Sequence, residues 1–230
     1  MRHLSSLLLT ASLALPFAAP VFAEGAGQIT VTGSATLDVA PDIATISLGV
    51  TTNGDTAAAA MAANNAVLAG VLARLRAAGI AERDLQTSNL SLNPNWVGYD
   101  SGSVPTIANY TASNILTVRV RALDSLGAVL DAAITDGANT LNGLTFGLAE
   151  PRPTEDAARA AAVADAIARA RLFAEAAGTG LGPIMSISES GAMVEPLPMF
   201  RTDSFAGAVP VAGGEVGISA AVTMVFEIAQ

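Results

Sequence analysis

From Gln28 onward apolar and polar residues alternate. Ile29, Val31 and, after Gly33, Ala35, Leu37 and Val39 fall on one side of an extended segment that stops at Pro41. A period of two predicts a half-buried strand. A second strand follows, with Ala44, Ile46, Leu48 and Val50 on one face and Ile43, Thr45, Ser47 and Gly49 on the other, ending at Asn53-Gly54. The period then changes. Asp55 or Thr56 is placed to cap a helix running to Gly79, with Met61, Leu68, Val71, Leu72 and Leu75 as its apolar stripe. Gly79 stands where helices commonly end, and the alanines at 57–60 add helix propensity and let a partner surface come close.

Residues 85–92 and 111–120 read as two further strands. They are joined by a segment, 93–110, rich in Gly, Pro, Asn and Ser, which predicts a hairpin with an extended tip. Asp124 or Ser125 starts a second helix that buries Leu126, Val129, Leu130, Ala133 and Ile134 and ends at Gly137; a strand over 140–148 follows. Thr154 is placed to cap the longest helix, with Glu155 and Asp156 at its positive end. Its expected buried face is Val163, Ala166, Ile167, Ala170, Phe173, Ala174 and Ala177, and Glu155 with Arg159 and Asp165 with Arg169 are i,i+4 ion pairs. The run from Gly178 to Gly182 follows this helix and reads as its stop and turn. A short strand over 183–190, a loop over 191–214 and a final strand over 216–228 complete the chain. Strands and helices alternate without a repeating βαβ period, so the expected fold is α+β, an antiparallel-rich sheet or sheets with helices packed on one face.

Composition narrows the chemistry. Of 230 residues, 11 are basic and 20 acidic; every basic residue is arginine, cysteine is absent, and the single histidine is His3. Thiol catalysis, disulfides, thiolate zinc, lysine Schiff bases and a P-loop lysine are therefore excluded. Met1-Arg2-His3 is a short basic start, Leu4 to Leu15 is mostly apolar, Pro16 and Pro20 interrupt it, and Val21-Phe22-Ala23 has the form of a signal peptidase site. We read residues 1–23 as a cleavable signal peptide, residues 24–230 as one domain, and the mature protein as periplasmic. Cleavage after Ala23 removes both His3 and Arg2, which deepens the negative charge. Such a chain is repelled by nucleic acid, and no transmembrane segment is expected in the mature part.

Candidate chemistry is sparse. The nearest carboxylates are Asp38 with Asp42, and Glu150 with Glu155 and Asp156, each with a plain role beside a proline turn or at a helix start. No serine stands in a nucleophile elbow and Asn53-Gly54-Asp55 lacks the further carboxylates of a calcium loop. No catalytic residue, cofactor or metal site is assigned. The aromatic residues are more telling. Trp96, Tyr99 and Tyr110 all fall in 93–110, and Phe200 and Phe205 lie beside Met193 and Met199 in 191–214. Aromatic and methionine side chains gathered in loops make these seven residues a candidate interaction surface.

Gly79-Ile80, then Asp84-Leu85-Gln86-Thr87-Ser88-Asn89-Leu90-Ser91-Leu92, resembles the central motif of the SIMPL domain, also called DUF541. Tyr110-Thr111-Ala112-Ser113-Asn114, Gly137-Ala138-Asn139, Glu150-Pro151 and the stretch from Ala162 to Ala166 follow in matching order. The likeness covers about residues 28–229. It implies a periplasmic or cell-envelope α+β protein without established enzymatic activity, of the kind described as immunogenic or as acting in oxidative stress defence, with some members assembling into rings. The motif itself has a structural explanation. Asp84 is placed to cap the turn after Gly79, and Thr87, Ser88, Asn89, Ser113 and Asn114 offer polar side chains on adjacent strands.

The expected function is accordingly non-enzymatic, through self-assembly as a homo-oligomer or through binding of envelope proteins. Two alternatives remain open at this point. One is a carrier of a small apolar ligand held between sheet and helices, and the other a carboxylate- or metal-dependent hydrolase using Asp38, Asp42 or the Glu150 cluster.

Overall fold

The computed structural model describes residues 27–98, 104–190 and 211–229. The expected signal peptide and cleavage site, together with Tyr99, Met193, Met199, Phe200 and Phe205, lie outside the described residues. In chain order the elements are β1 (Gln28–Val39), β2 (Ile43–Gly54), α1 (Ala57–Ala77), β3 (Leu85–Val97), β4 (Thr106–Val120), α2 (Leu126–Thr135), β5 (Thr140–Gly147), α3 (Arg152–Ala176), β6 (Gly180–Ser190) and β7 (Val216–Ala229). Two sheets result, one ordered β1-β7-β6 and the other β3-β4-β2-β5, with every pairing antiparallel. The α+β expectation holds.

The second sheet carries α1 and α2 on one face. Ala44, Ile46, Leu48 and Val50 of β2 and Leu116, Val118 and Val120 of β4 meet Leu68, Val71 and Leu75 of α1 and Leu126, Val129 and Leu130 of α2. Fully burying an aliphatic side chain of this size contributes about 1.5–3 kcal/mol, so this layer is the larger source of stability. Helix α1 is long and apolar enough to cross a membrane by length and composition alone, yet its stripe is spent on the sheet. Thr56 caps it by accepting a hydrogen bond from Ala59 N at 3.1 Å. At its other end Gly79 takes φ +89° and Ile80 N donates to Leu75 O at 3.1 Å, closing the helix with two buried apolar residues in register.

Helix α3 covers the first sheet by a different means. Its buried residues are Ala158, Ala162, Ala166, Ala170 and Ala174, an i,i+4 row of methyl groups lying against Val31, Ile218, Val222 and Met224. Ala166, Ala170 and Ala174 of the expected face belong to this row, but Val163 and Ile167 are only partly buried, and Phe173 (54%) and Ala177 are exposed. Small side chains permit backbone contact. At Gly33 on β1 an added Cβ would lie 2.2 Å from Ala162 O and 2.3 Å from Ala166 N.

Four further expectations are corrected. Helix α3 begins at Arg152, with Pro151 at the N-cap position and no side-chain cap, so Thr154 lies inside it. Proline is tolerated there because the first-turn N–H groups have no helical partner anyway. Gly180 and Gly182 belong to β6, and only Gly178 (φ +69°) ends the helix. Ile134 of α2 is 56% exposed. Most consequential, β3 and β4 run on to Val97 and back from Thr106, which places Trp96 and Tyr110 on strands instead of in a loop. Pro94 is admitted because β3 is an edge strand.

Candidate functional site

The signature residues converge on the joint between α1, β3 and β4. Once Ile80 has turned inward, the chain makes a 3-10 turn at Glu82–Asp84 and delivers Asp84 into the joint at 4% exposure. Arg121, just past the end of β4, meets it as a fork, Nε to Oδ2 at 2.9 Å and Nη2 to Oδ1 at 2.8 Å. That hydrogen-bonded guanidinium holds the Asp84 carboxyl below the usual aspartate range, against the opposing effect of burial. The side chain therefore clamps the end of β4 to the start of β3 and does not cap the turn after Gly79, whose carbonyls are served by backbone donors. A bidentate pair fixes orientation as well as distance.

The other motif residues divide. Ser88 sits at a bulge in the β3–β4 ladder and donates to Ile115 O at 3.3 Å, while Ser113 shares a 3.0 Å hydrogen bond with Thr51 on β2. Thr87 and Asn89 are exposed and make no side-chain hydrogen bond among the described residues. Asn114 is buried on the helix side of the sheet with its Oδ1 unpartnered. Beside this layer stands a residue that the periodicity gave no reason to single out: Asn64 of α1, fully buried, donates from Nδ2 to Val50 O at 2.8 Å and Ala112 O at 3.1 Å. It occupies an apolar-stripe position of α1, and only a polar residue at i+4 from Ala60 and i−4 from Leu68 hints at it.

Beyond Gly54, which pairs with Tyr110, β4 loses β2 as a neighbour, and β3 and β4 continue as a two-stranded ribbon. Alternation places Leu90, Leu92, Pro94 and Trp96 on one face of β3, opposite Asn114, Ala112, Tyr110 and Ile107 respectively. This is the face toward the helices, but α1 does not reach far enough to cover it. Leu90 is 54%, Trp96 47% and Ile107 40% exposed, while Tyr110 is half-buried. The other face of the ribbon is tied by side-chain amides and hydroxyls. Asn95 donates to Asn109 and to Thr111, and Thr111 to Asn53 at 2.6 Å.

The carboxylates considered for catalysis do not gather. Asp42 accepts Ala149 N at its Oδ1, Glu155 and Asp156 both pair with Arg159 together with Glu189, and Glu150 is exposed. Among the described residues no group of three or more Asp, Glu, His or Cys could hold a metal. Between α2 and β5 lies an open recess of about 230 Å³, lined by Leu48, Leu130, Ile134 and Leu141. That is below the 300–1,000 Å³ usual for small-molecule sites.

The model of the family described as SIMPL, protein of unknown function (DUF541), matches residues 29–226. The chain belongs to the SIMPL family. Its relatives include the 26 kDa periplasmic immunogenic protein of Brucella melitensis biotype 1, 38% identical over 99% of this chain and 97% of the relative, and that of Brucella abortus at the same identity and coverage. The uncharacterized protein YggE of Escherichia coli (strain K12) is 32% identical over 85% of this chain and 78% of its own length. In this SIMPL chain the signature from Gly79 to Asn114 is a joint-forming device: a helix stop, a buried clamp and a strand bulge.

Proposed function

We propose that this SIMPL protein is exported to the periplasm and acts there without catalysis of its own, by self-association or by binding an envelope protein through the β3–β4 ribbon. Export is supported by the form of residues 1–23 and by the periplasmic name of the Brucella relatives. The observation that carries the binding role is the ribbon itself, which leaves Leu90, Leu92, Trp96 and Ile107 in water on one face. Two strands alone are marginal in water, and Trp96 at 47% exposure leaves roughly 100 Å² of aromatic surface uncovered. At about 25 cal/mol per Å² its burial alone contributes roughly 2.5 kcal/mol. A second copy is the favoured occupant, since most soluble oligomers are homo-oligomers with closed symmetry, in which one apolar patch covers its own copy.

Trp96 is the single tryptophan in the chain, so its fluorescence reports the ribbon directly. On diluting the mature protein from tens of micromolar, light scattering should show loss of mass as the emission shifts to the red. Trp96→Ala with Ile107→Ala should weaken association by about tenfold or more. A parent that stays monomeric, and takes up no envelope protein when cross-linked in periplasmic extract, would remove the reading; an oligomer indifferent to the double change would remove the ribbon as its surface.

A further inference from the structure

We propose that the open face of the four-stranded sheet holds a binding site for a small molecule with one oxyanion, a carboxylate in the first instance, and an apolar body, with Arg119 as its anchor. The strand period places this face: Val118 and Val120 point to the helices, so Arg119 and Arg121 point away from them. Register extends the row. Arg119 lies opposite Thr45 on β2, and Thr45 opposite Thr145 on β5, so one guanidinium and two hydroxyls stand side by side across three strands. Directly opposed Cβ atoms are about 5 Å apart. A groove of about 550 Å³ runs over this row, bounded at one end by Ile43 and Leu148, while the Phe146 side chain packs into the cores beneath it.

Availability separates Arg119 from its neighbours. Arg74, Arg76, Arg121, Arg159 and Arg169 are each engaged at 2.9 Å or less by a carboxylate. The side chain of Arg119 has no hydrogen-bond or ion-pair partner among the described residues, and neither do the hydroxyls of Thr45 and Thr145. Two acidic groups stand near the groove, and Asp84 feels the charge of Arg119, but neither holds Arg119 by a hydrogen bond or ion pair. Asp84 is consumed by the Arg121 fork and Asp42 by Ala149 N, while Arg83 and Arg121 add positive charge beside them. A planar guanidinium with all its hydrogen-bond donors free suits a carboxylate edge, the hydroxyls add donors along the same row, and the Ile43 and Leu148 edge suits an apolar body.

The test is calorimetric titration of the mature protein with benzoate, with benzyl alcohol (the body without the charge) and with inorganic phosphate (the charge without the body). Saturable benzoate binding in the millimolar range or tighter is expected, with no binding of benzyl alcohol and phosphate roughly tenfold weaker. Arg119→Gln should abolish the benzoate signal while leaving the circular dichroism spectrum unchanged and the melting point nearly so, since the only other role of this exposed side chain is a minor charge contribution at Asp84. Arg119→Lys should retain part of it. No saturation up to tens of millimolar, or equal binding by Arg119→Gln, overturns the site. Phosphate binding as tightly as benzoate overturns the role of the apolar edge.

Discussion

Gly33 offers the sharpest test of how α3 is held. In a strand, replacing glycine by alanine ordinarily stabilises by about 0.4–1 kcal/mol, because the unfolded chain loses freedom. Here the added Cβ would lie 2.2 Å from Ala162 O, 2.3 Å from Ala166 N and 2.7 Å from Ala166 Cβ. Two of these three atoms are backbone, so no rotamer change relieves the contact. Reaching an ordinary 3.4 Å from 2.2 Å requires the helix and strand to part by about 1.2 Å. That lifts the row Ala158, Ala162, Ala166 and Ala170 off β1 and stretches the 2.9 Å hydrogen bond from Ser34 N to Asp165 Oδ2. Overpacking of this kind costs about 1–3 kcal/mol, and the upper end is expected because the clash is with backbone. At about 2–4 °C per kcal/mol for a chain of this length, Gly33→Ala should lower the melting point by roughly 5–10 °C. Two controls fix the sign. Gly70, in the middle of α1, has only Asp136 O at 4.0 Å from the added Cβ, and Gly143 on β5 has nothing within 4 Å. Gly70→Ala should stabilise by about 0.5–1 kcal/mol and Gly143→Ala should be neutral or better. Thermal and urea unfolding followed by circular dichroism reads all three. A Gly33→Ala variant as stable as its parent would refute backbone contact as the means of attachment, and so would full rescue by Ala162→Gly, which removes no carbonyl.

The Asp84 clamp predicts acid sensitivity with a definite sign. A carboxyl depressed by Arg121 adds stability that is fully present above its unfolded value of about 3.9 and is lost as pH falls through the lower folded value. Arg121→Gln leaves a buried carboxylate without its guanidinium, so acid unfolding should begin at higher pH, and that variant should be less stable at pH 7 than Asp84→Asn, which leaves only a half-exposed arginine behind. Under hydrogen peroxide, peptide mass spectrometry should find Met185, 53% exposed, oxidised well before the fully buried Met224, with no catalytic turnover of peroxide once metals are chelated; faster oxidation of Met224 would contradict the burial order.

Element types followed from periodicity because each buried face is a regular sheet or helix face, and β1, β2, α1 and β7 begin and end within a few residues of the expected positions. Two kinds of feature were not legible. The alanine row of α3 carries little hydrophobic signal per residue, so periodicity found Ala166, Ala170 and Ala174 but missed Ala158 and Ala162 and added Val163 and Phe173 by size; only the distant Gly33 makes alanine the fitting residue there. The length of β3 and β4 was masked by composition, since Asn93, Pro94, Asn95 and Asn109 read as loop. Their pairing is maintained instead by side-chain hydrogen bonds across the ribbon and by an edge position that excuses the proline. Of the candidate surface, Trp96 meets Ile107, a residue the sequence reading did not single out, on the paired strand, a relation that depends on the bulge between Asn95 and Trp96 and has no local sequence marker. Arg119 was available in the alternation Val118-Arg119-Val120-Arg121, which already sends two arginines to the face opposite the core. What the alternation could not say is that Asp84 occupies one of them and leaves the other free.

The two proposed surfaces are separable by geometry. Trp96 and Ile107 lie on the side of the sheet that carries the helices, past the reach of α1, whereas Arg119, Thr45 and Thr145 lie on the opposite side. Along β4, Ile107 and Arg119 are twelve positions apart, which at about 3.3 Å per residue is roughly 40 Å. A copy seated on the ribbon therefore leaves the arginine groove open, and a carboxylate in the groove touches nothing that the ribbon contact uses. Benzoate affinity should consequently be the same for the associated parent and for the Trp96→Ala, Ile107→Ala variant, and light scattering should be unchanged by Arg119→Gln. Coupling in either direction would mean that the assembled form brings a second chain over the open face of the sheet, which neither surface taken alone requires.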